Sequence, residues 1–314
     1  MSIAAVVIGR NEGARLVACL EALEGQVDRV VYVDSGSDDG SVAHARQTGA
    51  EVVALDMTQP FTAARARNAG VAALGADVTY IQFLDGDCAL RAGWIDVARA
   101  HLDAHPEGAV VCGRRRERAP EASVYNGLID AEWDTPVGEA KACGGDALMR
   151  AEAVRQVGGY RDSLIAGEEP ELCVRLRQAG WQIWRLDAEM TWHDADIHRF
   201  GQWWRRSKRA GHAFAEGAAL HGAPPERHWV QETRRAVIWG GVLPLAILLA
   251  ALLTGPAALL LLLIYPAQVL RLGRRDGWRQ GLFSVVGKFA ECAGVLTFHW
   301  RRLRNRDAQL IEYK

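Results

Sequence analysis

The sequence predicts an α/β fold in which a half-Rossmann parallel sheet precedes apolar helices at a membrane. Up to residue 87, short apolar runs alternate with helix-length amphipathic segments, a pattern typical of parallel strands joined by helical crossovers. Beyond residue 235, long apolar stretches replace this alternation. Stretches of that kind are rare in the core of a soluble domain and common in membrane helices.

The first part of the chain is predicted to contain four strands and three crossover helices. The segments between the apolar runs are long enough for the right-handed crossovers that parallel strands need. The predicted strands are residues 4–8, 29–33, 51–55 and 78–84, and the predicted helices are residues 14–23, 41–47 and 63–74.

The middle of the chain is expected to complete one compact unit over residues 1–196. Its predicted elements are a helix at 92–104, a strand at 109–112, an irregular stretch rich in Arg and Glu, an α-rich part at 146–180 and a strand at 181–186.

The C-terminal third changes character twice. Residues 197–235 include a basic and aromatic run, which is typical of amphipathic helices at a membrane interface. Residues 236–314 carry apolar stretches at 236–253 and 257–270, then a weaker one at 281–300 and a basic tail. The first two stretches fit either two thin transmembrane helices or one re-entrant hairpin. Lys288 and Glu291 favour an interfacial helix at 281–300.

Charge and cysteine usage indicate the compartment. Arginines at 234, 235, 271, 274 and 275 flank the two apolar stretches, so the positive-inside rule places both ends in the cytosol. We expect no signal peptide at the N-terminus. The six cysteines form no CxxC pair and are expected to be buried free thiols in a reducing compartment. A formal charge of -1 argues against a nucleic-acid partner.

Acidic residues follow two of the predicted strands. Ligands of open α/β sheets bind beyond the carboxyl ends of the strands, and Asp34 stands there in a turn of small residues, where it can accept hydrogen bonds from a ribose or a base. For Asp38 and Asp39, the sequence is equally compatible with a ligand-binding role and with a solvated turn in which Asp38 caps the next helix. Asp85 and Asp87 flank a glycine after the fourth strand, and paired carboxylates suit Mg²⁺ or Mn²⁺ bound to a diphosphate.

Two further residues are candidates because of their position. Arg67, on the third crossover helix, can bring a guanidinium to a nucleotide or its phosphates, whereas Arg65 is expected to be solvated. His193 follows the last predicted strand, and Asp194 beside it is a possible orienting partner.

The order of these motifs resembles the family 2 glycosyltransferases, inverting enzymes with a type A nucleotide-sugar-binding fold. The resemblance runs from about residue 5 to residue 196. It is carried by VIGRNE (7–12), VDSGSDDGS (33–41), ARNAG (66–70), LDGD (84–87), GGD (144–146), GEEPELCVRL (167–176) and TWH (191–193).

The resemblance implies roles for individual residues. The nucleoside would be held by Gly9, Asn11, Glu12 and Asp34, the sugar-nucleotide and its Mg²⁺ or Mn²⁺ ion by Asp85, Asp87 and His193, and the donor sugar by Gly144 and Gly145.

The acidic pair at the start of the 167–176 motif would supply the catalytic base. The family usually has Glu-Asp there, and this chain has Glu168 and Glu169. Glu169 is the candidate, since Pro170 can occupy the first helical position and leave Glu169 at the helix N-terminus, where N–H groups stabilise a carboxylate. The choice between the two glutamates stays open.

The expected function is transfer of one sugar, with inversion, from a nucleoside diphosphate sugar to a lipid-linked or glycan acceptor at a membrane. A polyprenyl-linked intermediate of a bacterial surface polysaccharide or glycolipid fits membrane anchoring, and the catalytic unit would face the cytosol of the inner membrane. Two alternatives are a membrane-associated nucleotidyltransferase and a non-catalytic scaffold that retains the fold. Residues 202–206 only partly match the Gln-x-x-Arg-Trp motif of processive members.

Overall fold

The computed structural model describes residues 2–304 and residue 311. The chain divides into two compact units, Met1–Asp196 and Ile197–Lys314. Each unit is considered by itself below.

The first unit begins with the predicted alternation of strands and helices. The predicted bounds agree with the observed ones within two residues at each end. The elements are β1 (Ser2–Gly9), α1 (Ala14–Glu21), β2 (Arg29–Asp34), α2 (Ser41–Gln47), β3 (Glu51–Ala54), α3 (Ala63–Ala73) and β4 (Val78–Asp85).

These strands form a parallel sheet in the order β3-β2-β1-β4. Residue Gly9 pairs with Asp34 on one side, and Ile8 pairs with Asp85 on the other. Because parallel strands end at a common edge, this register brings the segments after β1, β2 and β4 together.

Close packing of α3 on β1 requires a glycine. A Cβ atom at Gly70 would overlap the Val6 side chain. Val6 is fully buried, and β1 is covered on both faces, as expected for the middle of a parallel sheet.

The second half of this unit adds antiparallel pairs, so the complete sheet is mixed. Strand β8 pairs antiparallel with β4 and β6, and β6 pairs parallel with β9. The elements are β5 (Cys88–Leu90), α4 (Trp94–Ala104), β6 (Gly108–Glu117), α5 (Val124–Glu132), β7 (Gly138–Glu139), β8 (Ala147–Arg150), α6 (Ala151–Gln156), α7 (Glu168–Gln178) and β9 (Gln182–His193).

Two strand predictions were too short. The structure continues β6 to Glu117, through residues that were expected to be irregular, and β9 to His193, beyond the predicted end at residue 186. The two strands pair along this extension, where Glu117 lies opposite His193. The charged side chains do not end the strand because they have partners, such as the pairing of Arg116 with Glu189 at 2.7 Å.

The second unit is entirely helical in its described part. Its elements are α8 (Phe200–His221), α9 (Val230–Val237), a π-helical turn (Ile238–Val242), α10 (Leu243–Thr254), a 3₁₀ segment (Pro256–Leu263), α11 (Ile264–Asp276) and α12 (Trp278–Leu303). Part of the predicted basic tail, residues 305–310 and 312–314, lies outside the described residues.

Helix α8 packs against α12 at glycine positions. A Cβ atom at Gly211 would overlap the backbone of Glu291, and one at Gly294 would overlap the backbone of Lys208. Small residues that permit this backbone approach are typical of helix pairs in membranes. The basic-aromatic helix therefore has a packed face formed with α12.

Three helical runs are long and apolar enough to cross a membrane: Val230–Thr254, Pro256–Asp276 and Trp278–Leu303. The third was expected to be interfacial because of Lys288 and Glu291, but these two side chains form an ion pair at 2.6 Å. An ion pair lowers the cost of placing both charges in an apolar layer. The interfacial placement of residues 281–300 stays a prediction. Exposed leucines, including Leu252 at 84% exposure, indicate membrane association of this unit.

We predict that a chain truncated after Asp196 leaves the membrane fraction, because the three candidate spans all follow that residue. Fractionation of cells that express the full and truncated chains measures this. Truncated protein that pellets with membranes and resists carbonate and high-salt washing would contradict the prediction, whereas a pellet that detergent fails to dissolve indicates aggregation.

Candidate active site

The loops that follow β1 and β2 are joined by hydrogen bonds. The N–H of Asn11 donates to the Ser37 hydroxyl at 2.9 Å, and the N–H of Asp38 donates to Asn11 Oδ1 at 2.9 Å. Asn11 has a positive φ of 54°, a conformation that asparagine tolerates better than most residues. The two loops therefore form one surface at the carboxyl edge of the sheet.

Asp34 is buried and organises the turn after β2. Its Oδ2 accepts from the N–H groups of Gly36 and Ser37 at 3.0 Å each, and its Oδ1 accepts from the Tyr32 hydroxyl at 3.0 Å. A carboxylate has about four lone-pair sites, so Asp34 retains capacity for a further donor. The N-cap of α2 is Gly40 rather than Asp38. Asp39 Oδ1 accepts from the N–H of Ser41, the first residue of that helix.

Gly9, Glu12 and Gly86 pack together between β1 and β4. A Cβ atom at Gly86 would lie 3.1 Å from Glu12 Cγ and 3.2 Å from the Ile8 carbonyl oxygen. A Cβ atom at Gly9 would also crowd Glu12, at 3.2 Å. The missing side chains let the Asp85–Asp87 turn approach the loop after β1.

Arg67 is buried between two carboxylates from distant parts of the chain. Its Nη2 contacts Asp85 Oδ1 at 2.7 Å, and its Nη1 contacts Glu168 Oε1 at 2.7 Å. Burial lowers the pKa of this guanidinium, but Asp85 and Glu168 outweigh that effect and raise it, so Arg67 stays charged. Arg67 therefore holds both carboxylates in position. Its contact with a ligand stays a prediction.

Asp87 and His193 lie together on the other side of the turn. His193 Nε2 is 3.4 Å from Asp87 Oδ1, and His193 Nδ1 is 3.6 Å from Glu117 Oε2. The expected orienting partner was Asp194. The structure places Glu117 against the second ring nitrogen instead, because the extended β6 runs beside β9 to this point.

Glu117 is completely buried as a side chain and is held as a carboxylate. Burial raises its pKa, but hydrogen bonds with His193 and with the N–H groups of Ala195 and Ala119 outweigh burial, and the pKa lies below its ordinary value. The Ala195 N–H donates to Oε2 at 2.9 Å. The Glu117 carboxylate thus faces Nδ1 of His193, while Nε2 faces Asp87.

The loop with Gly144 and Gly145 approaches Asp85 closely. Gly144 has a φ of 84°, and a Cβ atom at Gly145 would lie 2.9 Å from Asp85 Oδ2 and 3.0 Å from Arg67 Nη2. Glycine meets both requirements without strain, the positive φ at Gly144 and the close approach at Gly145. The structure therefore brings the predicted donor-sugar loop to the predicted nucleotide-binding carboxylate.

Asp146 supports this loop from beneath. It has no exposed side-chain surface, and its Oδ2 contacts Arg115 Nη2 at 2.9 Å and accepts from the Thr191 hydroxyl at 3.0 Å. Arg115 in turn lies over the Trp133 ring at 5.2 Å, and Trp133 meets His193 edge-on at 4.6 Å. Sequence reasoning assigned no role to Arg115, Glu117, Trp133 or Asp146.

Helix α7 begins earlier than predicted. Gly167 is the N-cap, with a φ of 77°, and Glu168 is the first helical residue. Pro170 is therefore third rather than first, a position where its missing N–H still costs no helical hydrogen bond. Both glutamates belong to the first turn, where the helix dipole stabilises negative charge.

Glu168 and Glu169 have different surroundings. Glu168 is paired with Arg67. Glu169 Oε1 instead accepts from the N–H groups of Cys143 and Gly144 at 2.9 and 2.8 Å. Burial raises the pKa of Glu169 and outweighs those hydrogen bonds, so this carboxylate accepts a proton more readily than an ordinary glutamate.

The residues expected to hold a metal fit a hard divalent cation in part. Two ligand atoms about 2.1 Å from one octahedral ion lie roughly 3 Å apart, close to the 3.4 Å between Asp87 Oδ1 and His193 Nε2. Asp85 is a less direct fit, since one of its oxygens contacts Arg67. Its donors group with Cys88 and Asp146 rather than with Asp87 and His193.

The first unit has the mixed α/β sheet of the type A glycosyltransferase fold. Among solved structures, the mannosyltransferase PcManGT from Pyrobaculum calidifontis, in complex with GDP-Man and Mn²⁺, matches with a TM-score of 0.68 and 19% identity, over 96% of this chain and 87% of that one. At this identity the likeness establishes the fold.

Residues 4–136 match the family described as Glycosyl transferase family 2. The match covers less than half of the 314 residues of this chain.

Curated relatives show the same similarity. The pre-mycofactocin glycosyltransferase of Mycobacterium tuberculosis is 28% identical over 264 residues, which cover 78% of this chain and 52% of the relative. The succinoglycan biosynthesis protein ExoA of Rhizobium meliloti is 32% identical over 196 residues, which cover 56% of this chain and 58% of the relative. The chain thus spans little more than half the length of these relatives.

We predict that Asp87→Ala lowers the affinity for Mn²⁺ at least about tenfold, because it removes a charged oxygen ligand beside His193. Electron paramagnetic resonance of free Mn²⁺ during titration measures this without any substrate. Asp187→Ala is the matched control, since Asp187 is an exposed aspartate on the same strand as His193. Equal affinities in the two variants would remove Asp87 from the metal site.

We further predict that Arg67→Met destabilises the first unit by about 2–3 kcal/mol, because Asp85 and Glu168 lose their shared cation. The value lies below the 3–5 kcal/mol typical of a fully buried pair, since water reaches the Asp85 side chain, which is 31% exposed. Arg46→Met, at an exposed position of α2, should change stability by no more than about 0.5 kcal/mol. Urea unfolding of Arg67→Met and Arg46→Met measures the difference. Equal unfolding midpoints in the two variants would contradict a stabilising role of the Arg67 ion pairs.

Proposed function

We propose that this chain is an inverting, metal-dependent glycosyltransferase that moves one sugar from a nucleoside diphosphate sugar to a membrane-bound acceptor. The proposal depends chiefly on the two ion pairs of Arg67, which we call the Arg67 bridge. They join Asp85, in the turn Asp85–Asp87 (the DxD turn), to Glu168 at the start of α7. The bridge sets a nucleotide-binding carboxylate, Asp85, and a pair of candidate bases in one site. The family match and the relatives named for glycosylation and polysaccharide synthesis support this reading.

The nucleoside would bind at the joined loops after β1 and β2. Gly9 and Glu12 pack against each other at this place. Asn11 and Asp34 carry polar groups there, and both are hydrogen-bonded to Ser37. Asp34 can accept a ribose hydroxyl without giving up the turn it holds.

The diphosphate would lie toward the DxD turn, where Asp87 and His193, with Asp85 nearby, would hold Mg²⁺ or Mn²⁺. When bound, this ion neutralises the charge that develops on the diphosphate leaving group. Glu117, which lies 3.6 Å from Nδ1, would help to orient the His193 ring so that Nε2 faces the ion. The Mn²⁺ in the similar mannosyltransferase structure supports the use of a divalent ion.

The donor sugar would rest against Gly144 and Gly145, and Glu169 would accept the proton of the attacking hydroxyl. Inversion requires the hydroxyl to approach the anomeric carbon from the face opposite the diphosphate, with a carboxylate that takes its proton. Glu169 contacts the Gly144 N–H and has a raised pKa. Glu168 is less suited, since its Oε1 is already paired with Arg67 Nη1 at 2.7 Å.

The acceptor is proposed to be lipid-linked, with a polyprenyl-linked saccharide as the leading candidate, in bacterial surface polysaccharide or glycolipid synthesis. The three apolar helices support an enzyme that meets its acceptor at a membrane. The arginines beside the first two of them support a catalytic unit on the cytosolic face, which in a bacterium would be that of the inner membrane.

Donor specificity and the reaction class can be tested together. Purified full-length chain in detergent is incubated with a panel of nucleotide sugars, with Mn²⁺ or with excess EDTA, and nucleoside diphosphate release is measured with and without a lipid extract. We expect metal-dependent release from one donor, increased by the extract. Release of pyrophosphate from a nucleoside triphosphate instead would favour the nucleotidyltransferase, and inactivity on the whole panel would favour the scaffold.

We predict that Glu169→Gln lowers kcat by roughly two to four orders of magnitude with little change in donor affinity, because the amide keeps the shape but cannot take a proton. Glu169→Asp, which restores the usual family residue, should keep substantial activity. Glu168→Gln should mainly weaken donor binding by loosening Asp85. Near-normal turnover of Glu169→Gln at saturating donor and acceptor would exclude Glu169 as the base.

The same carboxylate should set the acid limb of the pH profile. A base must be ionised to act, and burial raises the pKa of Glu169, so kcat should fall as pH drops through a value above that of an ordinary glutamate. In Glu169→Asp the limb should shift or change shape, whereas in Asp187→Ala it should not. An acid limb that is identical in Glu169→Asp would assign it to another group.

A further inference from the structure

A second set of possible metal ligands lies beside the proposed base. The ligand atoms of Cys143, Glu169 and Cys173 all lie within 4.8 Å of one another. Cys143 comes from the loop before Gly144, and the other two come from α7, where their i,i+4 spacing puts them on one face. Glu169 and Cys173 are buried and Cys143 is half-buried.

The spacing of this cluster matches a tetrahedral site. With Zn–S bonds of about 2.3 Å, two thiolates on one tetrahedral Zn²⁺ lie roughly 3.8 Å apart, and a thiolate and a carboxylate oxygen lie roughly 3.6 Å apart. The two Sγ atoms are 3.7 Å apart. Glu169 Oε1 lies 3.5 Å from the Cys143 sulfur and 4.0 Å from the Cys173 sulfur.

We propose that Cys143, Cys173 and Glu169 form a binding site for a soft divalent cation, Zn²⁺ or a similar ion, separate from the oxygen-rich site at Asp85 and Asp87. Thiolate ligands select zinc over magnesium and manganese. Binding releases the two thiol protons to solvent, after which two thiolates and one carboxylate hold the ion. Three protein ligands leave the fourth position to water, whereas structural zinc sites have four protein ligands.

The consequence of this site is inhibition, and this part rests on the proposed role of Glu169. A carboxylate that ligates Zn²⁺ is no longer available to accept a proton from an acceptor hydroxyl. The ion would therefore stop transfer without displacing Mn²⁺ from the DxD turn. Binding itself depends only on the three side chains and can be measured without any substrate.

The binding test uses the full-length chain in detergent, freed of metal by a chelator and kept reduced by a phosphine. Co²⁺ is titrated in, and thiolate-to-cobalt charge-transfer absorption in the near ultraviolet is recorded. We expect one such ion per chain in the wild type and in Asp87→Ala, displaced by Zn²⁺ but not by Mn²⁺. Cys143→Ser and Cys173→Ser should each weaken Co²⁺ binding at least about tenfold.

Cys292→Ser is the matched control, because it removes a buried thiol from the second unit and should leave the absorption unchanged. Thermal unfolding of each variant confirms that it is folded. Absence of the absorption in folded wild type, or its persistence in both Cys143→Ser and Cys173→Ser, would overturn the site.

The activity test measures inhibition by Zn²⁺ at saturating Mn²⁺, relative to the zinc-free activity of each variant. We expect Cys173→Ser to need at least about ten times more Zn²⁺ for half inhibition than wild type or Cys292→Ser. Equal inhibition in all three would place the inhibitory ion elsewhere and overturn the regulatory role. A cobalt site in a chain that transfers no sugar would refute the proposed function and leave the metal site standing.

Discussion

The buried guanidinium of Arg67 is the interaction on which the rest of the site depends. It contacts Asp85 at the tip of β4 and Glu168 at the start of α7, two groups separated by more than eighty residues of chain. Without a cation between them, two carboxylates near each other would repel. The positive charge of Arg67 therefore holds Asp85 and Glu168 together in one small volume.

The sequence predicted the parts of the site that local patterns control. Asp34, Asp85 and Asp87 follow apolar runs, and strand ends in a parallel sheet meet at one edge, so their approximate position follows from periodicity alone. The close packing at Gly145 could be anticipated from the resemblance. The start of α7 could not be placed from Pro170, because proline is tolerated throughout the first turn. Gly167, with its positive φ, is the N-cap, and the helix begins two residues earlier than predicted.

The charged residues that the sequence analysis missed, Arg115, Glu117 and Asp146, have partners that are distant in the sequence. Arg115 and Glu117 belong to a charged stretch that gives no apolar alternation, and they become strand residues only because β9 pairs with them. Asp146 was visible as part of a motif, but its burial beneath Arg115 and Thr191 depends on tertiary contacts. Glu117 could have been recognised as the partner of His193 only if the charged stretch after residue 112 had been predicted to be a strand beside β9.

The turn after β2 has a consequence for the thermodynamics of ligand binding. Asp34 already holds the N–H groups of Gly36 and Ser37, and Ser37 and Asp38 are already joined to Asn11. The conformational entropy of these segments is therefore lost when the protein folds rather than when a ligand arrives. A nucleoside that docks there meets a rigid surface, so its affinity at that end reflects the contacts themselves with little reduction from ordering the protein.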